Sequence, residues 1–204
     1  MATAFTDEER VIIREGLKEA DREYLAKYGV RRTTVDQLVD RVGISKGSFY
    51  NFYKQKELLF FQVLEEYQVS LIEDLNQRFK EEDIGVEGFT EIIFQLIQNV
   101  RRSFLMNIIE NNEIEYLFRR LAGDLIKEHN LLDRALMDEI LKNINLKENV
   151  DPDLVVASFR ALFLSLTYVD EIGAKDFDNM LKFLIRGMAL QLIEEDGHGA
   201  GNSC

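Results

Sequence analysis

Along most of this chain apolar residues recur at steps of three and four, and no stretch sustains the alternation of a half-buried strand. Ile13, Leu17, Ala20, Tyr24 and Tyr28 mark a first helix over 7–28 that ends at Gly29. Val35, Leu38, Val39 and Val42 form a second stripe, and Phe49 with Tyr53 a third. Leu59, Val63, Tyr67, Leu71, Leu75 and Phe79 then trace a long helix over 56–80. A polar, glycine-bearing connection over 81–88 precedes helical stretches near 89–107, 113–129 and 131–144, with Asn111-Asn112, Gly123 and Asn130 as interruptions. Pro152 after Asp151 has the form of a first-turn proline following its cap, and it opens a strongly apolar helix over 153–172. A second apolar helix over 176–194 follows Gly173-Ala174-Lys175. The prediction is an all-α chain.

The run from Thr33 to Lys56 is the most informative. Thr34 can cap a helix and Gln37, three residues on, can answer as a capping box. Gly43 supplies the left-handed residue that stops that helix, Ile44 an apolar anchor in the turn, and Ser45 a cap for the next helix. Phe49 and Tyr53 at i, i+4 turn the second helix inward. This is a helix-turn-helix. Its outer face carries Lys46, Gly47, Ser48, Tyr50 and Asn51, small, polar and cationic groups able to enter a major groove about 12 Å wide. Lys54 and Lys56 follow at the start of the next helix, where ammonium groups and free backbone N–H groups both suit phosphate oxygens.

The charge balance at first opposes nucleic acid, because the 204 residues carry a formal net charge of −12. The distribution removes the objection. Residues 1–60 hold 11 Lys and Arg against 10 Asp and Glu, while the remainder holds 14 against 27. Within 31–56 six basic residues face only Asp36 and Asp40. Phosphate attraction is screened over roughly 8–10 Å at physiological salt, so this local excess governs. The single Cys204 excludes a disulfide framework and a cysteine metal site. Residues 1–10 lack a signal-type apolar core and no run reaches 18 uncharged apolar residues, which predicts a cytoplasmic chain with no membrane span. The glycine-rich 197–204 is predicted to be a disordered tail.

The stretch from about Val11 to Leu64 closely resembles the DNA-binding region of the TetR (tetracycline-repressor-like) family of bacterial transcriptional regulators. The residues that carry the resemblance are Gly29, Thr33-Thr34, Gly43-Ile44-Ser45-Lys46-Gly47-Ser48-Phe49-Tyr50 and Lys56-Glu57-Leu58-Leu59. It implies that Thr34, Tyr50 and Lys56 hold phosphates and that Lys46, Gly47, Ser48 and Asn51 face bases or sugar edges, with Ser45 beside them. One departure is that Asn51-Phe52-Tyr53 follows Tyr50, where the family often has histidine or tyrosine, tyrosine or histidine, then phenylalanine. Beyond Leu64 the resemblance is architectural only.

The last two helices are apolar over more than one stripe, through Leu154, Val155, Val156, Phe159, Leu162, Phe163, Leu166 and Tyr168 in one and Phe177, Met180, Leu181, Leu184, Ile185, Met188, Leu192 and Ile193 in the other. One side can pack on the body while the other needs a partner, and a homodimer through about 153–194 would close a four-helix bundle, as the resemblance also implies. Phe94, Phe104, Tyr116, Phe118, Phe159 and Phe163, with Met106 and Tyr168, are candidates to line a pocket for a small-molecule effector, although aromatic residues at this spacing also make plain core. Arg160, flanked by apolar residues, is expected to be buried and therefore paired. His129 and His198 are too far apart in sequence to build a metal or catalytic group, and the carboxylate runs Glu65-Glu66, 81–83 and 194–196 read as solvated helix faces and ends. No phosphate-binding glycine motif or nucleophile elbow is present, so no enzyme, cofactor or metal site is expected.

The expectation is therefore an N-terminal helix-turn-helix domain over 1–55, a helical ligand-binding and dimerisation domain over 56–196, and a tail over 197–204. Its function would be to bind a palindromic operator in double-stranded DNA, as a repressor released by a small apolar or amphipathic molecule. The rival from another class is a helical ligand carrier or interaction protein that keeps the fold without regulating through DNA.

Overall fold

The computed structural model describes residues 5–81, 84–148 and 150–194, with the side chains of all of these but 81, 126, 128–133 and 135. The predicted tail, including His198, lies outside the described residues, as does the side chain of His129. The helices are α1 (Asp7–Arg32), α2 (Val35–Val42), α3 (Lys46–Phe52), α4 (Lys56–Glu81), α5 (Val86–Arg102), α6 (Leu105–Glu110), α7 (Glu113–Phe118), α8 (Gly123–Lys142), α9 (Pro152–Ser165), α10 (Val169–Ile172) and α11 (Ala174–Leu192). A short 3₁₀ turn, Leu166–Tyr168, joins α9 to α10. The one extended pairing among the described residues is an isolated antiparallel bridge between Leu146 and Ile193.

The residues divide into two compact units, one comprising the chain up to Val69 with Arg102–Leu132, the other Ser70–Arg101 with the chain from Asp133 onward. The long α4 begins in the first and ends in the second. Leu17, Leu25, Leu38, Phe49 and Leu59 are solvent-free in the first unit, whose core also takes Leu105, Ile108 and Leu117 from α6 and α7. In the second unit Phe89, Ile93, Phe159, Phe177, Leu181 and Ile185 are equally buried, and Phe89 and Phe159 meet edge to face at 6.4 Å. Along α11, Asp178, Lys182 and Arg186 at i, i+4, i+8 pair with Arg101, Glu91 and Glu87 of α5 at 2.8, 2.8 and 2.7 Å. Each exposed pair contributes at most about 1 kcal/mol, but the ladder fixes α5 and α11 as antiparallel neighbours in one register.

Several predicted boundaries shift for physical reasons. The first helix does not stop at Tyr28: it breaks at Gly29 (φ 74°, ψ −177°) and then continues to Arg32. The predicted helix over 89–107 is two helices, because the chain turns at Ser103 and Phe104. Asn130 interrupts nothing and α8 runs through it, while the break falls at 119–122, before Gly123 rather than after it. Polar side chains lower helix propensity by well under 1 kcal/mol, too little to set a boundary against packing.

Arg160 is not buried: it sits on the exposed side of α9. The same side presents Leu154, Ala157, Ala161, Leu164 and Tyr168 at steps of three, four, three and four, with Leu154 65% and Leu164 61% exposed. On α11 Phe183 is 78% exposed, and Leu184 and Leu190 are also exposed. By length and composition alone Pro152–Ile172 also reaches what a membrane-crossing helix requires. Arg160 near its middle and the 3₁₀ turn before its end do not suit a bilayer, since a guanidinium at its centre costs about 3 kcal/mol or more.

Candidate nucleic-acid interface

The helix-turn-helix forms by the local chemistry its sequence carries. Thr34 Oγ1 accepts from Gln37 N at 3.3 Å, and Gln37 Oε1 accepts from Thr34 N at 2.8 Å, so both halves of the capping box are made. Gly43 is left-handed (φ 76°, ψ 33°) and its N–H closes the helix on Val39 O at 2.8 Å. Ser45 Oγ caps α3 by accepting from Ser48 N at 3.0 Å. Phe49 is solvent-free, Tyr53 is buried, and their rings lie 5.8 Å apart. The Tyr53 hydroxyl donates to Gln62 Oε1 at 2.9 Å, and Gln62 Nε2 donates to Glu66 Oε1, which also takes Lys18 at 2.8 Å. Glu66 Oε2 takes Arg22 at 3.0 Å. These bonds lock α1, α3 and the first turns of α4 together, and burial pushes the Tyr53 phenol above its ordinary pKa.

On the outer side Thr34, Ser45, Lys46, Gly47, Tyr50 and Asn51 are exposed and Ser48 is half-buried. Tyr50 stands edge-on to Phe49 at 5.5 Å, which steadies a ring that is otherwise 49% exposed. A Cβ added at Gly47 would meet nothing nearer than Ser45 Oγ at 3.8 Å, so Gly47 leaves room for an approaching backbone or sugar. Two side chains are already engaged. Lys46 pairs with Asp36 at 3.0 Å, and that hydrogen bond raises its pKa. Any further anionic partner of Lys46 would compete with Asp36 for it. Lys56 donates to Val30 O at 2.9 Å and Thr33 O at 2.6 Å, and burial lowers its pKa. Two of its three N–H donors are thereby used within the protein.

Two further groups carry no signal that sequence reading picks up. Arg10 and Arg14 lie over the ring of Phe52 at 5.1 and 6.0 Å, which brings cations of α1 to the end of α3. Asn107 of α6 and Glu113 of α7 hold the broken end of α1. Asn107 Nδ2 donates to Leu25 O and Ala26 O at 3.0 Å each, and Glu113 accepts from Val30 N and, at 3.3 Å, from Arg31 N. No local pattern flags a partner some 82 residues away.

The aromatic candidates for a pocket are divided between the two units. Phe104, Tyr116 and Phe118 belong to the first unit, where Phe104 packs on Tyr67 at 5.4 Å, Phe118 on Phe61 at 6.4 Å, and Tyr116 lies between Arg31 and Arg120 at 4.9 and 4.8 Å. Phe94, Phe159 and Phe163 belong to the second, where Phe159 is core and Phe94 carries the Lys182 ammonium over its ring at 4.3 Å. A recess on α4 is lined by Gln62, Glu65, Glu66 and Val69, none of them in that set. No group of three metal-ligating side chains occurs among the described residues.

Asp21 of α1 is wholly buried in the first unit, and neither of its carboxylate oxygens has a hydrogen-bond partner among the described residues. Burial pushes its pKa well above the ordinary value, only partly offset by the charges of Arg22 and Lys56. With the folded pKa raised, the favourable contribution of the neutral carboxyl is fully present below the unfolded value of about 3.9 and is lost as pH rises through the folded pKa. Asp21→Asn is therefore expected to stabilise the protein at pH 8 by on the order of 1–3 kcal/mol. The gain should shrink as pH falls toward the ordinary carboxylate range. Urea unfolding of both proteins at pH 5 and pH 8 checks this, and a gain independent of pH would contradict it.

The family model described as "Bacterial regulatory proteins, tetR family" matches residues 19–63, from the middle of α1 into α4. Over these residues the chain is similar to the TetR family. The matched segment contains the whole helix-turn-helix, α2 to α3. This chain is 22% identical over 137 residues to the fatty acid metabolism regulator protein of Bacillus subtilis, an overlap of 65% of this chain and 70% of the relative. Among solved structures, a TetR family regulator from Marinobacter aquaeolei superposes with a TM-score of 0.65 at 15% identity, covering 93% of this chain and all of the other. Bacillus subtilis FadR in complex with stearoyl-CoA superposes with a TM-score of 0.62 at 17% identity, covering 89% of this chain and 98% of the other. At such identities these likenesses establish the fold.

Proposed function

We propose that this chain is a cytoplasmic, homodimeric repressor of the TetR family that binds a palindromic operator and is released by an amphipathic small molecule. The observation that carries the reading is the outward face of α3 and its flanks, where Lys46, Gly47, Tyr50 and Asn51, and on the flanks Thr34 and Lys54, are exposed. In this reading residues 1–55 read DNA and residues 56–196 pair the subunits and take the effector. Thr34, Tyr50 and Lys54 hold phosphates, Lys56 adds its remaining donor, and Lys46, Ser48 and Asn51 meet base edges, with Ser45 and Gly47 shaping the approach. A two-fold dimer sets two such heads in successive major grooves, roughly 34–36 Å apart.

The test is selection of duplexes from a random pool, followed by titration in rising salt. A palindrome is expected, with affinity falling steeply as salt rises because neutralised phosphates release counterions. Tyr50→Phe and Lys54→Ala should weaken every duplex alike. Asn51→Ala and Ser48→Ala should change the preferred base, each removing about 1–3 kcal/mol of discrimination where the side chain bonds a base edge. A pool that returns no selected duplex favours the rival reading, a helical carrier of the same fold.

For the effector, the relatives support a long acyl chain on a polar carrier: one is named for fatty acid metabolism and another was solved with stearoyl-CoA. A 100-fold loss of operator affinity requires the ligand to prefer the released form by about 2.7 kcal/mol. An acyl chain that buries on the order of 100 Å² more apolar surface in one form supplies that much. Palmitoyl-CoA should raise the melting temperature and release bound operator. Stabilisation with unchanged operator affinity would mean a pocket without a switch.

A further inference from the structure

The break in α1 at Gly29 frees backbone groups that a continuous helix would pair internally. Just beyond it Val30 N donates to a side chain, and Val30 O and Thr33 O, at the helix end, each accept from one. Side chains from three other helices meet these groups. Asn107 of α6 donates its amide to Leu25 O and Ala26 O, Glu113 of α7 accepts Val30 N and Arg31 N, and Lys56 of α4 donates to Val30 O and Thr33 O. Thr33 closes the turn by donating its hydroxyl to Gly29 O at 2.7 Å. The next residue is Thr34, the cap of α2.

We infer that Asn107 and Glu113 are positioning residues for DNA binding, holding Thr34 and the helices behind it in register from outside the helix-turn-helix. The inference rests on the DNA-binding role proposed above. Glu113 is 5% exposed, so it does not itself reach a duplex, and a carboxylate would repel phosphate if it did. It acts through the backbone N–H groups it fixes. Sites of this kind work only when their groups are held within about 0.5 Å of the productive geometry, and the groups that hold them matter as much as those that touch. The α1 break leaves the N–H donors of Val30 and Arg31, and the acceptor that meets them is a carboxylate on another helix.

The sign of the mutational effect separates this role from plain electrostatics. Removing an acidic group near a DNA-binding surface ordinarily strengthens binding, and Glu113 also lies 3.9 Å from the Arg31 guanidinium, which its removal would release toward phosphate. The clasp demands the opposite. The full-length protein and its Glu113→Ala, Glu113→Gln, Asn107→Ala and Glu115→Gln variants are titrated with the duplex that the unmodified protein selects, with hydrogen exchange followed at residues 29–34. Glu113→Ala is expected to weaken binding by about tenfold, within the usual span of coupling between separated groups. Its salt slope should not fall, because every phosphate keeps its partner, and exchange at Val30 and Arg31 should quicken. Glu113→Gln, which keeps an acceptor oxygen, should recover part of the affinity, and Asn107→Ala should fall between. Glu115→Gln, on the exposed side of the same helix, should bind as well as the unmodified protein or better. Folded Glu113→Gln and Asn107→Ala variants that both bind within twofold of the unmodified protein would overturn the inference, whether or not Glu113→Ala folds. If the unmodified protein selects no duplex, it is the proposed function that fails, and the inference with it.

Discussion

Phe183→Glu is expected to convert the protein to a monomer at micromolar concentration and to reduce operator affinity on the order of 100-fold or more. The side chain is 78% exposed on α11, which also exposes Leu184 and Leu190, while α9 exposes Leu154 and Leu164. Full burial of each such side chain contributes roughly 1.5–3 kcal/mol, which makes these exposed side chains costly to leave in water. Ala157 and Ala161 between Leu154 and Leu164 leave room beside Arg160 for a second helix to approach. Because a two-fold interface repeats every residue, one substitution places two carboxylates in it, each losing several kcal/mol of hydration without a partner. A micromolar dissociation constant corresponds to about 8 kcal/mol, so a loss of half of that dissolves the dimer. Operator binding follows, since linking two heads raises affinity by about 10²–10⁴ over one alone. Leu184→Glu, the substitution that spacing alone suggests, should act more weakly because Leu184 is less exposed than Phe183. Sedimentation velocity of both variants checks the first half and anisotropy titration the second. An unmodified protein that sediments as a monomer would remove the premise.

Gly29→Ala is the second substitution with a large expected effect, on the order of 3–5 kcal/mol of lost stability in the first unit. Its backbone lies at φ 74° and ψ −177°, a region open essentially to glycine alone, where any side chain costs about 1–3 kcal/mol. A Cβ there would also fall well inside contact distance of Glu113 Oε2. The carboxylate would have to withdraw, leaving Val30 N and Arg31 N buried or half-buried without an acceptor at about 1–3 kcal/mol each. In a Glu113→Ala background the steric part is already gone, so Gly29→Ala should cost roughly 1–2 kcal/mol less there than in the unmodified chain. Denaturant unfolding of the two single variants and the double variant measures the difference. Additive costs would show that Gly29 and Glu113 do not meet in solution.

The features written in the sequence are those whose partners lie within four residues. Thr34 with Gln37, Gly43, Ser45 with Ser48, and Phe49 with Tyr53 each depend on a hydrogen bond or packing inside one turn, so residue type and spacing determine α2, the turn and α3 to the residue. The same holds for Asp151 and Pro152 at the start of α9 and for the amphipathic stripe of α4. Charge follows too, because the local basic excess over 31–56 is a count along the chain. What remained for the tertiary structure involves partners far apart in sequence. Local chemistry favours Asn130 as an interruption and Arg160 as a buried charge, yet packing carries α8 through the one and leaves the other on an exposed face. Which aromatic residues are core, which half of each apolar helix stays uncovered, and that Lys56 turns to Val30 and Thr33 are likewise settled by neighbours. The clasp at Gly29 is the clearest case: the glycine is visible in the sequence, but the acid that makes it necessary stands on another helix, brought there by the core of Leu25, Leu105, Ile108 and Leu117. Short-range hydrogen bonding is determined by neighbouring residues, whereas burial and long-range pairing are properties of the whole packed chain, and only the folded unit decides them.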